Sequence, residues 1–289
     1  QQGKFSKGWD ILREERYKRM VEMGLIDKRW ALSERDPQVT PWKDLDEEQK
    51  ERMELLMSIY AAQIDCMDQG IGKVLAELEA IGETENTLIM FLSDNGGSEE
   101  VGPFGMDFWG NFWDGEARPG SGDSYHSYGG SWANLSNTPF RMYKKRTHEG
   151  GISTPFIVKW PDHVSEAGGI IHQPGHIVDI MATICDIAHV EYPETFKGQA
   201  ITPLPGKSFR SMLEGEAQDG SRTIFWEHIG NRAVRDGDWK LVSKKGDPWE
   251  LYNMSLDRSE TQNLIEAEPE IAKRLKSSYE SWAAEMGVE

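Results

Sequence analysis

Thr87-Leu-Ile-Met-Phe-Leu-Ser93-Asp94-Asn95-Gly96-Gly97 is an apolar run that stops abruptly at an acid, an amide and two glycines. From Thr87 to Leu92 the residues are β-branched or apolar without alternation. That is the pattern of a strand buried on both faces, as in the parallel sheet of an α/β protein. Ligands of such sheets gather just beyond the carboxyl ends of the strands, where Asp94 and Asn95 stand. Both carry hard oxygen donors of the kind Ca²⁺ or Mg²⁺ takes. Asp-Asn-Gly is also ordinary turn chemistry, and taken alone the turn is the plainer reading.

Further along, Asn137-Thr-Pro-Phe-Arg141-Met-Tyr-Lys144-Lys145-Arg146-Thr-His148-Glu149-Gly150-Gly151 packs four cations into six residues, in a chain of net charge −17. A solvated basic run is the bland reading. Against it, the run lies between a turn and a Gly-Gly, just before a second apolar strand, Phe156 to Trp160. Backbone and side-chain donors at such a place hold anions. Together the two segments point to a divalent cation and a fixed cation converging on a tetrahedral oxyanion.

These residues carry a resemblance. The strand with Ser93-Asp94-Asn95-Gly96, then Tyr143-Lys144, His148-Glu149-Gly150-Gly151 and Pro155-Phe156-Ile157-Val158, resembles the C-terminal half of a type I, formylglycine-dependent sulfatase. Ser127-Tyr-Gly-Gly-Ser-Trp-Ala-Asn-Leu-Ser-Asn-Thr-Pro-Phe-Arg-Met-Tyr-Lys144 is most similar to the bacterial arylsulfatase branch. The similarity runs from the N-terminus to about Asn263.

It implies an alkaline-phosphatase-like α/β fold, present in part, with a central mixed sheet flanked by helices and a small C-terminal antiparallel-sheet subdomain. It also implies a sulfuric ester hydrolase acting on a small, aryl-type sulfate ester. Asp94 and Asn95 would be ligands of Ca²⁺ or Mg²⁺, and their oxygens suit these ions better than zinc. Lys144 would be the catalytic lysine on the sulfate. His148, His126 and His228 are carried as substrate-binding candidates, with a rim or structural role as the alternative for His148.

The same family takes its formylglycine from a Cys (or Ser) in a Cys-x-Pro-x-Arg setting. Cys66 is followed by Met-Asp-Gln and Cys185 by Asp-Ile-Ala, so neither fits. The resemblance therefore leads us to expect a fragment whose nucleophile and remaining metal carboxylates belong to an N-terminal half of the same enzyme. On its own such a chain is expected to be inactive. Two other readings stay open: a phosphomonoesterase or phosphonate hydrolase of the same superfamily, and a truncated, non-catalytic metal-binding protein.

Composition agrees with a globular piece. A chain of 289 residues can bury a substantial core. Mean hydropathy of −0.61 and the lack of a long apolar run exclude a membrane span. Two cysteines give no disulfide framework. The negative charge disfavours nucleic acid and anionic membranes as partners.

Gly8 to Met23 reads as a helix and Asp27 to Trp42 as an irregular link. Asp46 to Ile81 has apolar residues at helical spacing, read as core, with Asp44 or Asp46 as cap and Gly70 and Gly72 as points of bending or division. Cys66 and Cys185 fall among helically spaced residues, where buried thiols are expected. Gly96 to Trp132, rich in aromatics (Phe104, Phe108, Trp109, Phe112, Trp113, Tyr125, Tyr128), reads either as a pocket rim for an apolar leaving group or as an anchored loop.

Ile170-Ile171 is expected as a short strand and Ile177 to His189 as a helix. The Pro/Gly-rich stretch Thr195 to Gly206 divides a catalytic part, 1–205, from a subdomain, 206–289. That subdomain is expected to hold strands at 223–228, 232–234, 239–242 and 249–253 and a closing helix at 269–286. Arg235-Asp-Gly-Asp238 is its tight hairpin turn.

Overall fold

The structure, a computed structural model, describes residues 3–107, 117–216 and 222–288. In chain order it has α1 (Gly8–Glu22), a 3₁₀ turn at Trp42–Asp44, α2 (Glu47–Ala80), β1 (Ile89–Leu92), α3 (Gly129–Ser136) and α4 (Glu149–Ile152). There follow β2 (Phe156–Lys159), α5 (Val178–Ile187), the short strands β3 (Thr195–Phe196) and β4 (Gln199–Ala200), and α6 (Arg210–Leu213). The chain closes with β5 (Thr223–His228), β6 (Asn231–Asp236), β7 (Trp239–Ser243), β8 (Glu250–Asn253) and α7 (Pro269–Met286). Contacts divide it into two interleaved units. The first holds the residues up to Ala76, Leu92–Phe156 and everything from Phe225; the second holds Glu77–Phe91 and Ile157–Ile224.

Asp46 starts α2 with a capping box. Gln49 N donates to Asp46 Oδ1 at 2.8 Å and Asp46 N donates to Gln49 Oε1 at 3.1 Å. The helix then runs unbroken for 34 residues, without the expected division at Gly70 or Gly72. A mid-helix glycine costs only about 1 kcal/mol against alanine, and the Lys, Leu, Ala and Glu that surround this pair offset it.

In the first unit the core is a set of tryptophans. Trp9 meets Trp42 edge-on at 4.7 Å and Trp132 at 5.3 Å, and Met53, Leu56 and Met57 of α2 close over them. The rest of the helix's apolar stripe was expected to be core, but Ile64, Met67 and Val74 are exposed. Cys66 is exposed and Cys185 only half-buried, not the buried thiols expected. Both corrections have one cause: no element among the described residues covers those faces.

The C-terminal sheet has the order β5-β6-β7-β8, and β6, β7 and β8 pair antiparallel. Its turn between β6 and β7 is the two-residue loop Gly237–Asp238, with Gly237 at φ 58°. Alternation assigns the faces. Val234, Leu241 and Leu251 pack on Leu275 and Tyr279 of α7. The pairs Arg235↔Lys240, Lys240↔Tyr252 and Val242↔Glu250 lie on the opposite face.

In the second unit β1 pairs with β2, and Leu88, Met90 and Val158 pack around Trp160, Phe209 and Leu213. Phe91 and Ile157 are exposed. The first strand is thus covered on one side rather than both: Leu88 and Met90 face the cluster, and no element among the described residues covers Phe91. Ile170 and Ile171 form no strand; they are exposed beside Gly168-Gly169.

Candidate functional site

Beyond β1 the chain turns on itself. Ser93 Oγ donates to Asn95 O at 3.0 Å, and Asn95 Nδ2 donates to Gly96 O at 2.8 Å. This uses the amide's donor end and leaves Oδ1 as the end that can accept or ligate. Asp94 is exposed.

The next two glycines tie this turn to the basic segment. Gly96 N donates to Gly151 O and Lys144 N donates to Gly97 O, both at 3.0 Å. Gly97 N donates to Asn137 Oδ1 at 2.8 Å, and Asn137 Nδ2 in turn donates to Met142 O at 2.9 Å. The approach is too close for side chains. A Cβ on Gly96 would lie 1.7 Å from Gly150 O, and one on Gly151 would lie 2.0 Å from Arg146 O. Glycine is required at these places by contact, not by an unusual φ. The backbone thus sets the Asp94–Gly97 turn beside the segment that carries Lys144.

The four cations of 141–146 do not act as a block. Arg141 turns to the C-terminal sheet, donating to Tyr252 Oη and Glu260 O at 3.0 Å each. Lys145 pairs tightly with Glu100, and Arg146 Nη2 lies 3.3 Å from Glu99 Oε1. Lys144 Nζ is held most loosely, 3.8 Å from Glu100 Oε2. Three cations against two carboxylates leave one positive charge in surplus. The hydrogen bond from Lys145 holds the Glu100 carboxyl below its usual range despite some desolvation. A cleft of about 430 Å³ runs here between Glu99, Glu100, Tyr143, Lys145 and Arg146, with Gln38 and Val39 opposite. Nothing in the sequence marked Glu99 and Glu100, an acidic pair without motif spacing.

The histidines lie elsewhere. His148 is buried, with Nε2 3.0 Å from Glu250 Oε2. The His126 side chain is buried too, 3.9 Å from Asp107 Oδ2. His228 is exposed on the β5–β6 hairpin, where its carbonyl accepts from Asn231 Nδ2 and Glu227 Oε1 accepts from Gly230 N. Of the aromatic loop, Phe104 packs on the tryptophan core and Tyr128 stacks on Tyr60 at 4.5 Å. Burial raises the Tyr128 phenol to about 12. Tyr125 is exposed, and Phe108, Trp109, Phe112 and Trp113 lie outside the described residues.

Asp94 and Asn95 together offer one carboxylate and one amide oxygen, which suits Ca²⁺ or Mg²⁺. Calcium takes roughly six to eight oxygens, more than this pair supplies. Among the described residues no group of three or more His, Cys, Asp and Glu could hold a metal. No helix of the described residues is long and apolar enough to cross a membrane.

Comparison with known proteins gives the family and the fold. The sulfatase model matches residues 29–190, and the model for the C-terminal region of N-sulphoglucosamine sulphohydrolase matches residues 139–284. An uncharacterized sulfatase of Schizosaccharomyces pombe is 32% identical over 99% of this chain and 54% of its own length. An arylsulfatase of Klebsiella aerogenes is 30% identical over 73% of this chain and 46% of its own. The chain therefore spans about half the length of these relatives.

The crystal structure of the phosphonate monoester hydrolase of Agrobacterium radiobacter shares the fold. It matches with a TM-score of 0.51 and 20% identity, over 83% of this chain and 43% of that one. The architecture is the α/β, alkaline-phosphatase-like fold, present in part. With a match over more than half of its length, on residues that include both the Asp94–Gly97 turn and Lys144, the chain belongs to the sulfatase family.

Proposed function

We propose that the protein carrying this chain is a sulfuric ester hydrolase of the arylsulfatase type, and that Asp94, Asn95 and Lys144 form part of its active site. The observation that supports this most is the pair of backbone hydrogen bonds, Lys144 N to Gly97 O and Gly96 N to Gly151 O. They fasten a lysine and an oxygen-donor turn to each other at the end of a strand.

A bound Ca²⁺ or Mg²⁺ would supply Lewis-acid polarisation of a sulfate oxygen. Asp94 would hold it by charge and Asn95 by its oriented Oδ1. Lys144 donates to a second sulfate oxygen and offsets the charge that grows on the bridging oxygen as the alcohol leaves. Glu100, beside Lys144, offsets part of the positive charge there until the anion arrives. The nucleophile is assigned to a formylglycine outside these residues, because Cys66 and Cys185 lack the sequence setting. We assign the leaving group to the neighbouring cleft that Glu99, Glu100 and Tyr143 line.

The test is hydrolysis of 4-nitrophenyl sulfate by the full-length protein, with 4-nitrophenyl phosphate and a phosphonate monoester as competing substrates. Preference for the sulfate supports the reading. Preference for either phosphorus ester moves the assignment to a phosphoryl-type hydrolase. No turnover of any of them, with metal bound, moves it to a non-catalytic protein.

A further inference from the structure

The face of the C-terminal sheet turned away from α7 carries a lysine that a core does not explain. Lys240 is fully buried, and its Nζ lies 2.8 Å from both Glu149 Oε1 and Glu260 Oε1. Glu260 is fully buried as well and accepts from Glu149 N at 2.9 Å through Oε2. Arg258 Nη2 closes the set, 3.2 Å from Glu149 Oε2. Two cations and two carboxylates leave no net charge, as burial demands.

As a contribution to stability such a set is weak, since apolar residues often fill the same volume equally well. Its position is more informative. Glu149 directly precedes Gly150 and Gly151. Gly150 N donates to Arg141 O, and Gly151 O accepts from Gly96 N, each at 3.0 Å. Between Arg141 and Gly150 the chain loops out, with Met142 at φ 68° and Lys145 at φ 75°, and this loop carries Lys144. Arg141 returns to the same sheet, donating to Glu260 O and Tyr252 Oη. The C-terminal end of the Lys144 loop is thus tied to the ionic set through Glu149, and its N-terminal end, through Arg141, to the backbone carbonyl of Glu260, a member of that set.

We propose that Glu149, Lys240 and Glu260 are positioning residues: a buried ionic clamp that sets the Lys144 loop against the Asp94–Gly97 turn and so tunes the site's grip on the sulfate group. The proposal rests on the sulfatase reading of Lys144 and goes beyond it, because none of the three touches substrate. Loss of the clamp frees the loop to shift, and a misplacement of about 1 Å between an ammonium and a sulfate oxygen is enough to weaken the contact.

The test uses the full-length enzyme. Removing Lys240 alone would leave two buried carboxylates facing each other and risks the fold, so the variant is the charge-balanced Lys240→Met/Glu260→Gln pair. Glu260→Asp serves as a gentler second variant, keeping the charge but withdrawing it from Glu149 N. The readouts are the inhibition constant of inorganic sulfate and kcat and KM for 4-nitrophenyl sulfate, measured well below the melting temperature.

We expect the sulfate inhibition constant to rise about 10-fold in the paired variant and about 3-fold in Glu260→Asp. Lys144→Ala added to either should cost much less than in the wild type, since the effects share one path. A folded clamp variant whose sulfate inhibition stays within twofold of wild type overturns the proposal. So does full additivity with Lys144→Ala. Absence of hydrolysis and of sulfate inhibition in the wild type would instead strike the sulfatase reading itself.

Discussion

Lys144 is the least firmly held cation of its run, and that distinguishes it from Lys145. A lysine locked in a short ion pair must break it to serve a substrate, whereas one at 3.8 Å from its carboxylate has little to give up. In the full-length enzyme Lys144→Ala should lower kcat/KM by ~10²-fold or more, the scale of one preorganised contact to developing charge. Lys145→Ala should change it less than ~5-fold on the same scale. Equal losses in steady-state assays would mean that the run acts as a diffuse field.

Asp94→Ala should strip most of the bound Ca²⁺ or Mg²⁺ with the fold intact, because the exposed carboxylate supports no neighbour. Elemental analysis showing wild-type metal content would remove Asp94 from the site. The Asp94–Gly97 turn at the end of β1 was legible because an apolar run stops there, and Lys144 was singled out by the resemblance. Glu99, Glu100, Lys240 and Glu260 were not. A carboxylate's partner comes from the tertiary fold, and no local pattern announces a buried lysine at 240.

The elements that a reader could find in the sequence are those whose signal is local. α7 begins and ends where its Pro269 and apolar spacing say, and the β6–β7 hairpin turns at Gly237. Asp46 is the cap of α2, so Asp46→Ala should cost about 1 kcal/mol in chemical unfolding. What stayed hidden depends on neighbours. Whether Ile64, Met67 or Phe91 is covered is decided by other elements, and identical periodicity fits a covered face and an open one.

The tight meeting of loops is of the same kind. Gly96-Gly97 reads as an ordinary turn, yet a Cβ at Gly96 would sit inside the Gly150 carbonyl. Gly96→Ala should therefore destabilise by about 1–3 kcal/mol, as overpacking does. It should also cut turnover beyond what lost folding explains, by forcing the turn away from Lys144. A variant with wild-type melting and activity would show that the two loops part without consequence.

At the scale of the whole molecule the buried ionic set links stability to pH. Burial works against the Glu149 carboxylate, but Lys240 and Arg258 outweigh it and hold it at about 2, below its usual value of 4.5. A group whose folded pKa is depressed contributes stability above the unfolded pKa, and loses it as pH falls toward the folded one. Acid should therefore weaken the protein between about pH 4.5 and pH 2. Glu149→Gln, less stable at neutral pH, should show a flatter melting curve against pH over that window. Unchanged slopes would place the acid-sensitive group elsewhere.

The same scale decides activity. On the proposed reading, Lys144 and a metal held by Asp94 and Asn95 would grip the sulfate but supply no nucleophile. Cys66 lies exposed on α2 and Cys185 half-buried on α5, each without the Pro and Arg that accompany a formylglycine precursor. The 289-residue chain expressed alone should therefore leave 4-nitrophenyl sulfate intact at any concentration of Ca²⁺ or Mg²⁺. Supplying the N-terminal half of the same protein, with its cysteine matured, should restore turnover. Hydrolysis by the chain alone that survives both Cys66→Ser and Cys185→Ser would reveal a nucleophile among residues assigned here to structure, and the division of labour between the halves would have to be abandoned.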